Sequence, residues 1–427
     1  MITFSRALQR SLASASPKLV ELVLFSTKNC SLCVHFDRQL RHYLKKHPNI
    51  RVVEKNLADE PSETIEKFKY DVPVLIEVDG EHKFERIVLK HRFSDDVVDL
   101  IAVHGGACAK YDGSLVEDCR FAVQTGTVES ALADLERIEK FNCGFGSHLT
   151  IDQEVECEAS YMTSKNMSFG AVGAISNVFH PSRVARHLAQ NDWWKRRRLL
   201  HPLILVGKGA EKYAVKNDFP TCNSDELISP AAKDAFEKYL HRMLHPYDTH
   251  DTVGAISINT NNMEAESGTS SGGIVLKHSG RLGHSCVYGS GTWSERREYD
   301  EPPYDEISER TISICSTGHG ESLVKADFCR GIAARVLDDE DGILYSEIIR
   351  GFIRDRMEPN ARFGGIALIV DKFRHRMSLE FLLFHNCRFL PAAVRGRDGT
   401  VRVFESQFDP DNASGDKFVI ESYNMKL

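Results

Sequence analysis

The stretch from His250 to Gly283 reads HDTVGAISINTNNMEAESGTSSGGIVLKHSGRLG. Thr252 follows the acid Asp251 and opens an alternating apolar run through Val253, Ala255, Ile256 and Ile258, which puts it at the first residue of a buried strand. Upstream, Thr221 to Thr249 is polar, with one short amphipathic helix expected near Ala232 to Leu244. A chain can be cut at such a junction without unravelling the sheet. A cut between Asp251 and Thr252 would leave Thr252 carrying a hydroxyl and an α-amine on one residue. A threonine hydroxyl alone is a poor nucleophile, and an α-amine titrating at about 7.7 to 8.0 is suited to be its base. For Asp251 to Gly254 alone, a buried strand that merely begins at a threonine is the better explanation of the pattern.

The residues that follow add chemistry. Ser270-Ser271-Gly272-Gly273 offers hydroxyls beside a backbone without side chains, which a substrate can approach closely. Lys277-His278-Ser279-Gly280-Arg281-Leu282-Gly283 brings a guanidinium on a glycine-flanked turn, suited to bidentate capture of a carboxylate. Ser316-Thr317-Gly318-His319-Gly320-Glu321 places another hydroxyl beside glycine amides, the makings of an oxyanion site.

With Val103-His104-Gly105-Gly106-Ala107, Asn142-Cys143-Gly144-Phe145-Gly146-Ser147, Glu156-Cys157-Glu158-Ala159-Ser160, Phe169 to Ala174 and Leu205-Val206-Gly207, these blocks stand in one order. In that order the chain from Val98 to its end resembles the N-terminal-nucleophile hydrolases of the plant-type asparaginase and aspartylglucosaminidase superfamily, most closely its threonine aspartase branch. The resemblance implies an αββα sandwich, self-cleavage before Thr252 into an α chain (98–251) and a β chain (252–427), and assembly of paired αβ units. It implies that Thr252 is the nucleophile and that Ser271 orients its amine. Arg281 would grip a substrate carboxylate, and Asn142, Thr317 and Gly318 would line the substrate and oxyanion region.

One departure separates the branches. In the amidases for free asparagine or isoaspartyl peptides an Asp after the Gly-Arg-x-Gly turn pairs with the substrate ammonium, and here that position is His284. A histidine cannot be that counter-ion, and an unpaired charge in a pocket is costly. A substrate whose nitrogen is already in a peptide bond is therefore expected. Gly289-Ser290-Gly291-Thr292-Trp293 also resembles threonine aspartase more than the asparaginases. For the early-loop lysine expected in that branch the sequence offers only Lys110. The segment Gly113 to Lys140 reads as too short for the two helices the family carries there.

The chain before the hydrolase follows a different plan. Strands are expected at Val20–Phe25, Ile50–Val53, Val72–Ile76 and Phe84–Leu89, with helices at His35–Tyr43 and near Glu63–Phe68. This is the element order of a thioredoxin-like domain. Cys30-Ser31-Leu32-Cys33 falls at a strand-to-helix junction, where a helix N-terminus lowers a thiol pKa, so Cys30 would attack and Cys33 resolve. A lone Cys-x-x-Cys is equally half a zinc site, but no second Cys or His pair stands at zinc-ribbon spacing. Pro73 opens the third strand, where a cis-proline would face the dithiol. Residues 20–92 thus resemble the glutaredoxin-like family, without the Gly-Gly-Asp segment with which glutaredoxins hold glutathione. Ser94-Asp95-Asp96 looks like the capped start of a last helix, directly before the hydrolase's first strand. The domains are expected at 18–97 and 98–427, an α/β unit followed by an α+β unit.

Composition narrows the classes. The 427 residues carry a net charge of −7, which argues against a general nucleic-acid binder, and no apolar run reaches membrane-spanning length. Eleven cysteines without a secretory signal fit reduced thiols. The histidines form no metal cluster, and no cofactor or metal is expected. Met1 to Pro17 holds Arg6, Arg10 and no acid, as a mitochondrial transit peptide or a basic leader without targeting role would. Trp193-Trp194-Lys195-Arg196-Arg197-Arg198 is either a nuclear-import patch or a solvated loop, and the family resemblance points to nucleus and cytoplasm. The expected activity is a self-processing threonine endopeptidase that cuts proteins after Asp, fused to a dithiol domain. The alternatives are an isoaspartyl peptidase or asparaginase, and a thiol-disulfide protein with an inert hydrolase scaffold.

Overall fold

The computed structural model describes residues 100–124, 126–241, 252–299, 307–373, 376–411, 413 and 415–425, together with four strands nearer the N-terminus. The chain divides into two units, 1–97 and 98–427. Asp251, Cys30, Cys33, Pro73, the leader, the helices expected in the first unit and Ser94 to Asp96 lie outside the described residues.

In the first unit β1 (Val20–Ser26), β2 (Ile50–Asn56), β3 (Val74–Val78) and β4 (Phe84–Lys90) form one sheet in the order β2-β1-β3-β4. β1 runs parallel to β2 and antiparallel to β3, and β3 pairs antiparallel with β4. All four strands stand where alternation and turn residues put them, with β3 described from Val74 rather than Val72.

Among the described residues the second unit holds two sheets. β5 (Leu100–His104), β6 (Cys157–Thr163), β7 (Ser168–Ile175), β8 (Ile204–Val206), β9 (Val253–Asn259) and β10 (Glu264–Ser271) join β15 (Phe389–Arg395) and β16 (Val401–Gln407) in the order β16-β15-β5-β9-β10-β6-β7-β8. β11 (Thr292–Glu298), β12 (Ile307–Gly318), β13 (Phe363–Phe373), β14 (Met377–His385) and β17 (Val419–Asn424) form the other, in chain order. Central strands such as β5 and β13 are apolar on both faces because both faces are covered. Ile101 and Val103 of β5 pack into a core with helices, while Leu100 and Ala102 pack with Ile366, Leu368 and Val370 of β13 between the sheets. Ala367 and Ile369 of β13 point the other way, toward the helices Phe328–Leu337 and Tyr345–Arg356.

The segment 113–140 corrects the sequence reading. It holds both helices, α1 (Ser114–Gln124) and α2 (Val128–Leu135). The second is short, but it begins with a capping box between Thr127 and Ser130 and buries Val128, Ala131, Leu132 and Leu135. A capped two-turn helix suffices when tertiary packing supplies the stability that its length does not. The helix before the proposed cut is described as Pro230–Leu240, earlier than expected, with Ser229 as its N-cap. Trp193–Arg196 is a short helix rather than a loop, with its tryptophans half-buried and Lys195 and Arg196 exposed, and Arg197 lies 4.7 Å over the Trp193 ring.

Candidate active site

β9 and β10 form an antiparallel hairpin in which Val253 pairs with Ser270. Thr252 precedes the one and Ser271 follows the other, so the register brings both to the open end of the hairpin. Thr252 is buried, and its Oγ1 donates to Ser271 Oγ at 3.2 Å. Ser271 Oγ also accepts from the Gly273 amide at 3.0 Å. A third hydroxyl, that of Ser285, stands 3.3 Å from Thr252 Oγ1.

The turn after Ser271 is held from the Asn142 block. Asn142 Nδ2 donates to the Gly273 carbonyl at 2.8 Å, its own carbonyl accepts from the Gly272 amide at 2.8 Å, and its Oδ1 accepts from the His148 amide at 3.0 Å. A Cβ on Gly272 would stand 2.5 Å from Asn142 Oδ1, which is why this position is glycine. Behind β10, the buried carboxylate of Glu136 accepts from Ser270 Oγ at 2.7 Å and from the Ser182 amide and hydroxyl. The strand that carries Ser271 is therefore tied on both faces.

Two cations border Gly273. Lys277 is buried, and its Nζ donates to the Glu156 carbonyl at 2.7 Å. Burial lowers its pKa, against the pull of Glu158, Cys157 and Glu156. Lys277 Nζ and Arg281 Nη1 would lie 3.1 and 3.3 Å from a Cβ on Gly273. Arg281, the expected grip for a substrate carboxylate, is paired with a carboxylate of this chain. Its Nε and Nη2 bind Glu321 at 2.8–3.0 Å, while Nη1 has no hydrogen bond among the described residues. Burial alone would raise the Glu321 carboxyl, but the hydrogen bonds and charge of Arg281 bring it below its ordinary value.

His284 is buried and donates Nε2–H to the Ser316 carbonyl at 3.2 Å. Burial pushes it down to about 4; the Ser316 carbonyl opposes the shift and the Arg281 charge adds to it. It is a neutral donor at neutral pH. The neighbouring Gly283 amide donates to the buried Glu158 at 2.6 Å. His104 is likewise neutral, held at about 3 by burial and by His284, with its Nδ1 accepting from the Gly106 amide. Thr317 is the next-to-last residue of β12, buried, and its Oγ1 accepts from the Ala107 amide at 3.2 Å. Gly318 has φ +133°, and a Cβ there would strike the Arg362 carbonyl.

Thr252, Ser271, Asn142, Arg281 and His284 thus belong to one connected set, and Thr317 and Gly318 join it through the Ser316 carbonyl. Lys110 is exposed. The lysine beside the site is Lys277, and Ser285 and Glu321 complete the arrangement. Their types were visible, but not that loops distant in sequence meet at the Gly283 turn. No group of three or more potential metal ligands is found among the described residues.

This arrangement lies within residues 120–373, which match the family model described as asparaginase. The chain belongs to the asparaginase family. Its hydrolase domain is accordingly of the N-terminal-nucleophile superfamily, and a glutaredoxin-like domain model matches residues 21–99. The asparaginase-family relatives include the isoaspartyl peptidase/L-asparaginase of Rattus norvegicus, 30% identical over 259 residues that cover 56% of this chain and 71% of that protein. The proteins of the same name from Mus musculus and Homo sapiens are 29% and 28% identical, over 73% and 72% of their lengths and 56% and 57% of this chain. These relatives carry the isoaspartyl peptidase name, not that of threonine aspartase.

Proposed function

We propose that this asparaginase-family chain is a threonine-type hydrolase that cuts itself before Thr252 and then cleaves protein substrates after Asp. The observation that supports the first part is the buried Thr252 hydroxyl at the head of β9, hydrogen-bonded to Ser271. Thr252 Oγ would attack the Asp251 carbonyl and the acyl group would pass from nitrogen to oxygen. Water then opens the ester, leaving a carboxylate on Asp251 and a free α-amine on Thr252. In the processed enzyme that amine takes the hydroxyl proton during attack on a substrate. Asn142, Thr317 and Gly318 line the acyl-binding region in this reading, and the processed αβ units pair. Cys30 and Cys33 form a separate dithiol function in the first unit. The two helices of segment 113–140 weigh against an inert scaffold.

The choice of substrate rests on His284. A neutral imidazole that spends its proton on Ser316 offers no charge to a substrate ammonium. Arg281 and Lys277 favour a carboxylate next to the scissile bond. The second reading, an isoaspartyl peptidase or asparaginase, is favoured by the names of the relatives. A competition between an internal Asp-Gly peptide and a β-aspartyl dipeptide on processed enzyme separates the two. Faster turnover of the internal peptide is expected, and faster turnover of the dipeptide would assign the chain to the second branch.

A further inference from the structure

Ser285 sits in a single 3₁₀ turn, His284–Cys286, packed against β10. It is fully buried. Its carbonyl accepts from Thr269 Oγ1 at 3.1 Å, and Thr269 in turn shares a hydrogen bond with Ser160 at 3.1 Å. On its other side a Cβ on Gly291 would come within 2.9 Å of the Ser285 Cα, so the turn has no room to withdraw. The hydroxyl is thus held at 3.3 Å from Thr252 Oγ1.

Counting protons gives this contact a direction. A hydroxyl has one proton and two lone pairs. Thr252 gives its proton to Ser271 Oγ, which also receives the Gly273 amide. The proton between Thr252 and Ser285 is therefore that of Ser285.

We propose that Ser285 is a catalytic hydrogen-bond donor to the nucleophile oxygen. The proposal rests on Thr252 being the nucleophile. Negative charge develops on Thr252 Oγ1 twice, first as it attacks a carbonyl and again as it leaves the ester when water enters. A fixed donor stabilises that charge in both steps and costs no reorganisation at the moment of reaction. Ser285 keeps its proton throughout. The proton that restores the Thr252 hydroxyl comes from the α-ammonium, and water supplies the oxygen of the new carboxylate.

The test uses the full chain in five forms: wild type, Thr252→Ala, Ser285→Ala, Ser285→Thr and Ser285→Cys. Self-cleavage is followed over time, and kcat and KM are then measured separately on processed enzyme with an internal Asp-Gly peptide. Ser285→Ala should slow self-cleavage and lower kcat by about 10- to 100-fold, toward the low side of the loss seen when one oxyanion donor is removed, with KM within twofold of wild type. Ser285→Thr, which keeps the hydroxyl, should recover most of the rate. Ser285→Cys, a weaker donor of similar size, should fall between and serves if the alanine variant does not fold. Wild-type rates in Ser285→Ala overturn the proposal, and so do equal losses in Ser285→Ala and Ser285→Thr, which would mark packing rather than donation. If the wild type remains whole like Thr252→Ala, the nucleophile reading itself fails. That outcome is distinct from a wild type that processes and a Ser285→Ala chain that keeps pace with it.

Discussion

Arg281 spends Nε and Nη2 on Glu321 and keeps only Nη1 beside Gly273, so a substrate carboxylate meets a cation that is already partly neutralised. The Glu321 side chain is 63% exposed, which limits such a pair to about 0–1 kcal/mol. Glu321→Gln should therefore lower KM for an Asp-containing peptide by at most about fivefold and leave kcat nearly unchanged. A rise in KM would mean that Glu321 positions Arg281 rather than competing for it. At this scale the sequence was informative where chemistry depends on near neighbours: Thr252 after an acid, Ser271 before two glycines, His284 after Gly-Arg-x-Gly. It was silent on Ser285, Lys277 and Glu321, because their roles arise from contacts between loops that sequence spacing does not specify.

The hydrolase's first strand was easy to read, since LIAVH of β5 is almost continuously apolar and buried on both faces; FGGIALIVDKF of β13 has the same character but was not assigned from sequence. The helices at 114–124 and 128–135 were missed. Length alone had argued against them, while the Thr127 cap and the Val128, Ala131, Leu132, Leu135 stripe argued for the second. Gly254 shows what register demands of one residue in β9. It pairs with His104 across the sheet, and a Cβ there would collide with the His104 ring and the Cys315 sulfur. Gly254→Ala should destabilise the hydrolase unit by about 1–3 kcal/mol through overpacking, seen as a lower thermal midpoint. An unchanged midpoint would mean that β5 and β12 can separate to admit a methyl group.

Over the whole hydrolase unit, buried titratable groups set a pH dependence of stability. Burial holds His104 at about 3 and His284 and His385 at about 4, against an ordinary 6.5. Between about 4 and 6.5 the unfolded chain binds more protons at these three sites, so their contribution is present above 6.5 and lost as pH falls. Glu136 acts in the opposite sense. Burial raises its carboxyl to about 7 despite the Ser270 and Ser182 hydrogen bonds, so its contribution declines as pH rises from 4.5 through 7. Near pH 5.5 the histidines outweigh it, and these four groups take up about two net protons on unfolding. Thermal midpoints should fall as pH drops from 6.5 to 5, and Glu136→Gln should make the fall steeper. A flat profile would contradict the burial of these groups. None of this was readable from composition, which gives the number of histidines but not which strands cover them.

The central claim is that Thr252 becomes an N-terminus by the chain's own chemistry. Intact-mass measurement of the purified 427-residue chain, before and after incubation, tests it directly. Two fragments whose masses meet between Asp251 and Thr252 are expected, with Thr252→Ala remaining a single species. A wild-type chain that keeps one full-length mass after prolonged incubation contradicts the account.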